Sequence, residues 1–110
     1  MEGGRIEALK TMLQNDPKDV MLYYLLGNEF YKAGQYAETI EAIRTYLSLT
    51  KDEGAAYRIL AQSLERTGKA AQARIAYQEG IGAANRHGHP GMAAEFEQAL
   101  KELGTDERDR

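Results

Sequence analysis

The chain has no cysteine, which excludes a disulfide framework and any zinc site built on thiolates. No apolar run approaches the roughly 20 residues that cross a bilayer. The N-terminus, Met1-Glu2-Gly3-Gly4-Arg5, leads straight into a charged, amphipathic pattern with no export signal. A cytoplasmic protein with no membrane partner is expected. Positive charge is not in excess either: fourteen Lys and Arg against seventeen Asp and Glu leave −3. That is the wrong sign for a chain whose main task is neutralising phosphates, so nucleic acid is not an expected partner. A glycine-rich phosphate loop is missing, and Ser48 and Ser63 stand outside any nucleophile-elbow pattern. The acid pairs Glu38/Glu41 and Glu95/Glu97 read as solvated helix faces. Neither catalytic residues nor a cofactor are expected.

What remains is 110 residues of ordinary composition, 43% hydrophobic and 28% charged, enough for one small domain with a contiguous core. Apolar residues recur at helical spacing throughout, and no strand pattern competes. Ile6, Leu9, Met12 and Leu13 form the stripe of a first helix, about 5–14. Asp16 is the expected cap of a second helix, about 18–33, with Pro17 in its first turn. Gly34 ends that helix, and a third follows over 36–49 with Ile40, Ile43 and Leu47 inward. Lys51-Asp52-Glu53-Gly54 makes the next break. A fourth helix, 55–67, stops at Gly68, and a fifth, 70–86, is so rich in alanine and glycine that close packing of its neighbours is implied. After Arg86-His87-Gly88-His89-Pro90-Gly91, a last helix at about 92–103 sets Met92, Phe96, Ala99, Leu100 and Leu103 against Glu95, Glu97, Gln98, Lys101 and Glu102. That is the pattern of a cap with a polar outer side. Residues 105–110 are polar throughout and read as a disordered tail.

The helices are not independent. Tyr23, Leu26, Gly27, Phe30, Gly34 and Ile43 recur 34 residues later as Tyr57, Leu60, Ala61, Leu64, Gly68 and Tyr77. With Tyr36 in the first copy and Ala73 in the second, this pattern resembles the tetratricopeptide repeat (TPR), of the small bacterial type. The resemblance implies an all-α, TPR-like α-solenoid of antiparallel helix pairs, about six helices with a C-terminal capping helix. It divides a single domain, 1–104, into a half repeat at about 5–19, repeats at 20–53 and 54–87, and the capping helix at about 91–103. Gly27 and Ala61 are small because the two helices of a pair approach closely there. Thr39, Tyr46, Gly80 and Lys51 depart from the family's usual residues.

In such repeats the first helix of each pair lines a concave groove, which implies a non-catalytic protein-interaction scaffold binding a peptide or partner helix. Helical spacing places Tyr24, Asn28, Tyr31 and Gln35 in one stripe and Arg58, Gln62 and Glu65 in the corresponding one. Amides can pair with a peptide backbone, aromatic rings cover apolar side chains, and a guanidinium takes a carboxylate. Lys32, Arg58 and Arg66 would favour an acidic or C-terminal peptide. Asn28 stands where many of these domains carry a peptide-contacting asparagine. Tyr24 stands where the carboxylate-clamp subgroup has lysine, so that clamp is not intact. The peptide-binding set is therefore Tyr24, Asn28, Tyr31, Lys32, Arg58, Gln62 and Glu65. A second reading is a homo-oligomeric scaffold, such as a homodimer, closed through Tyr31, Tyr46 and Met92, which are expected at the surface. A distant third is a metal role for His87 and His89. Two histidines without a cysteine, a third histidine or an acid at a recognised spacing do not make a site, so no metal is expected.

Overall fold

A computed structural model describes residues 2–107, and the side-chain surroundings of residues 4–104. The described residues form six helices: α1 (Glu2–Asn15), α2 (Val20–Lys32), α3 (Tyr36–Leu49), α4 (Ala55–Arg66), α5 (Ala70–Arg86) and α6 (Pro90–Glu107). They divide into two compact units, one ending at Lys51 and one beginning at Asp52. In the first, α2 packs against both α1 and α3; in the second, α5 packs against both α4 and α6. The connections α2–α3, α4–α5 and α5–α6 are three residues long, which makes the helices they join antiparallel neighbours.

Helix ends follow backbone chemistry. At the end of α2 the Gly34 N–H donates to the Tyr31 carbonyl and the Gln35 N–H to that of Phe30. Lys69 and Gly68 repeat this on Leu64 and Glu65. Both glycines are left-handed, at φ 77° and 76°, the conformation this closure needs and a side chain disfavours. The same double bond closes α5, from Gly88 to Asn85 and from His89 to Ala84.

Two boundaries differ from expectation. The cap of α2 is Asp19, not Asp16, because the Asp19 carboxylate receives the Met21 N–H at 3.2 Å and the helix begins at Val20. Helix α6 starts at Pro90, whose missing N–H costs nothing in a first turn, and it runs on through Thr105 to Glu107. Those three residues were expected in the tail. Gly104 is not among the glycines of positive φ, so nothing turns the chain out of the helix there. Residues 108–110 lie outside the described residues.

The core of the first unit is built from Ile6 and Leu9 of α1, Leu22, Leu26 and Phe30 of α2, and Ala42 of α3. Gly27 permits α3 to come close: a Cβ there would lie 2.7 Å from Ile43 Cγ1 and nearer still to its end methyl. In the second unit Gly80 on α5 is a similarly tight point, where a Cβ would stand 2.8 Å from the Phe96 ring and 2.9 Å from Tyr57 Cβ. Phe96 is fully buried, with its ring 5.8 Å from that of Tyr77. Burying a side chain of that size contributes on the order of 2–3 kcal/mol. The expected outer residues of α6, Glu95, Glu97, Gln98, Lys101 and Glu102, are exposed. Tyr46, expected at the surface, is buried, because its ring packs against that of Tyr24. Tyr31 and Met92 are half-buried.

Candidate functional site

Helix α2 carries Tyr24, Asn28 and Tyr31 at i, i+4 and i+7, a spacing that aligns them along one side. All three are half-buried. The Tyr24 ring rests on Tyr46 with centroids 5.1 Å apart, and Tyr31 meets Tyr36 edge-on at 5.5 Å. Each ring is thus braced by α3. The Asn28 amide donates one N–H to the Tyr24 carbonyl at 2.9 Å. That bond fixes the side chain along its own helix and leaves the amide oxygen and a second N–H for another chain.

Lys32 does something else. Its ammonium lies 3.3 Å from the carboxylate of Glu29, which is buried and also takes the Arg5 guanidinium of α1 at 2.8 Å. Burial opposes ionisation of Glu29, but the hydrogen bonds and charges of Arg5 and Lys32 outweigh it and hold its carboxyl below the ordinary carboxylate range. Arg5 therefore ties α1 to α2, while Lys32 supports the same carboxylate from within α2. Nothing in the sequence marked Glu29, which sits between the core residues Leu26 and Phe30, as the buried member of an ionic cluster.

In the second unit Arg58 is engaged within the chain. Its guanidinium makes a two-pronged bond to the Glu95 carboxylate of α6, at 2.6 and 2.7 Å, and lies 5.7 Å above the Phe96 ring. That hydrogen bond lowers the pKa of Glu95; burial opposes it, and the guanidinium charge adds a lesser lowering. The carboxylate that a peptide was expected to supply is thus present in the fold. Glu65 accepts the Tyr77 hydroxyl proton in a short hydrogen bond, and Gln62 is half-buried. His87 and His89 do not converge: one ring nitrogen lies 2.9 Å from the Ala83 carbonyl, the other 2.7 Å from Glu53. Among the described residues no group of three or more His, Cys, Asp or Glu is placed to hold a metal ion. Among them, too, no helix is long and apolar enough to cross a membrane.

A second concavity was not anticipated. In the first unit a cleft of about 420 Å³ opens between α1 and α3, floored by Leu26 and Phe30 of α2 and edged by Lys10, Glu38, Glu41 and Thr45.

No family model matches the chain. The TPR repeat-containing protein PA0015 of Pseudomonas aeruginosa is 26% identical over 98 residues, covering 89% of this chain and 93% of that protein. The chain is a homologue of a TPR repeat-containing protein. Solved structures agree with the TPR-like fold. Protein BPP2914 from Bordetella parapertussis superposes with a TM-score of 0.78 at 25% identity, over 92% of this chain and 88% of that one. A crystal structure of MamA superposes with a TM-score of 0.71 at 22% identity, over 93% and 68%. The paired helices and glycine closures described above are thus those of a TPR-type helical repeat.

Proposed function

We infer that this TPR-type chain is a non-catalytic interaction module that binds a peptide or partner helix along α2. The observation that carries this reading is the braced line Tyr24, Asn28 and Tyr31: two rings held from behind by Tyr46 and Tyr36 around an amide fixed to its own helix. Preorganised aromatic and amide groups bind with little loss of side-chain freedom. Arg58 plays a conditional part, since an incoming carboxylate has to displace Glu95. Gln62 and Glu65 on α4 are secondary in this reading, and Lys32 contributes through Glu29. Proteins with TPR repeats typically scaffold other proteins and carry no chemistry.

The test is affinity capture from lysate with the intact chain and with Tyr24→Ala/Asn28→Ala. The double variant should lose its partners while keeping its helical circular dichroism. Retention of the same partners at the same yield sinks the assignment to α2.

A further inference from the structure

The cleft between α1 and α3 lies on a different side of α2 from the Tyr24 line. At 100° per residue, the directions of Tyr23, Leu26 and Phe30 average about 130° away from those of Tyr24, Asn28 and Tyr31. The floor is apolar and two turns long: Tyr23, Leu26 and Phe30 stand at i, i+3 and i+7, about 10 Å of helix rise. The α3 wall has the same length, from Glu38 through Glu41 to Thr45. A trough of that length with helical walls fits about two turns of a further helix.

Its charge selects the occupant. On the α1 edge the Lys10 ammonium lies 3.6 Å from Glu7 and 5.8 Å from the Phe30 ring, so this cation comes with an anion of its own. On the α3 edge Glu38 and Glu41 are both exposed, one turn apart, and among the described residues neither carboxylate takes part in an ion pair. The rim is therefore acidic over an apolar floor. We propose that this cleft is a docking site for a basic amphipathic helix of a partner protein, with apolar side chains set on Leu26 and Phe30 and lysine or arginine one turn away on Glu38 and Glu41. Rim charges of this kind act mainly on specificity and on the rate of encounter. The site is separate from the α2 line of the proposed function, and either can be present without the other.

The experiment is an amide-resolved NMR titration of the full chain with a synthetic helical peptide carrying leucines at i, i+3 and i+7 and lysines on the flanks. A second peptide has every lysine replaced by glutamate. The lysine peptide should shift Leu26, Phe30, Ala42 and Thr45, and its affinity should fall at least tenfold for the glutamate peptide. The same fall is expected in the Glu38→Lys/Glu41→Lys variant, whose changes are at exposed positions and should leave the helical spectrum intact. Equal affinity for both peptides, shifts confined to Tyr24, Asn28 and Tyr31, or no shift at millimolar peptide each overturn the proposal. So does concentration-dependent self-association that shifts the cleft residues without peptide, because the occupant is then a second copy of the chain. Loss of lysate partners in Tyr24→Ala/Asn28→Ala bears on the α2 line alone.

Discussion

The two units use the same 34-residue pattern and centre it on opposite helices. In the first, the middle helix is α2, which opens a repeat; in the second it is α5, which closes one. The point of closest approach moves accordingly, from Gly27 on α2 against one neighbour to Gly80 on α5 against two. Polar residues diverge more. By the repeat spacing Glu29 of the first unit corresponds to Ser63 of the second. Glu29 is a buried carboxylate held by the Arg5 guanidinium, whereas Ser63 is a fully buried hydroxyl that finds no hydrogen-bond partner among the described residues. Apolar spacing keeps the repeat's shape, then, while the polar chemistry inside it is set unit by unit.

The comparison breaks most completely at Phe96. Phe96→Ala removes the largest fully buried side chain and should cost about 3–5 kcal/mol, read as a lower urea midpoint. A loss under about 1 kcal/mol would mean that α6 is not what α5 depends on. Next come the paired glycines. Gly80→Ala should destabilise by about 1–3 kcal/mol, because the new methyl meets a ring on one side and a neighbouring helix's Cβ on the other. Gly27→Ala should cost a similar amount, about 1–3 kcal/mol, because the fully buried Ile43 meets the new methyl with Cγ1 as well as its end methyl. A clear gap between the two in thermal melts would show which unit has the helix pair that can shift to admit a methyl.

Acid should separate the units as well. The folded pKa of Glu29 is depressed, so its stabilising contribution is present above the unfolded value of about 4.3 and is lost as pH falls through the lower folded value. Wild-type and Glu29→Gln chains should therefore differ in urea midpoint at neutral pH and converge in acid as pH falls through the depressed folded value. A difference that stays constant with pH would make the Arg5 and Lys32 contacts non-ionic in effect. The smallest change is expected at Arg58→Ala. The pair with Glu95 is partly exposed, 33% and 46% by side chain, so its removal should cost no more than about 1 kcal/mol, and less in high salt.

The helices themselves were legible in the sequence because glycine and apolar period mark them twice over: α3 and α5 begin and end where the pattern predicts. The start of α2 was not. Asp16 and Asp19 are equally good caps by residue type, and only geometry shows which carboxylate reaches an N–H two residues on. The line Tyr24, Asn28, Tyr31 was readable from spacing alone, because it lies on one helix. Arg58 was expected to take a peptide carboxylate, whereas within the chain it takes that of Glu95. Glu95 is 37 residues away, outward-facing as expected, and still long enough to reach back. The α1–α3 cleft was hidden for a similar reason: Glu38 and Glu41 look like any solvated pair until a neighbouring helix is seen to leave room beside them.

Within each unit the most extensively packed pairs of helices are chain neighbours, so most of the interactions that hold a unit together are short-range in sequence, the Arg58–Glu95 pair between α4 and α6 being an exception. Little loop-closure entropy stands between the unfolded chain and these contacts, which puts the units in the class of topologies that fold in microseconds to milliseconds. On the ribosome, where residues emerge at about 5–20 per second, the order of synthesis becomes the order of assembly. The helices up to Leu49 can close over Leu26 and Phe30 while the second unit is still being made.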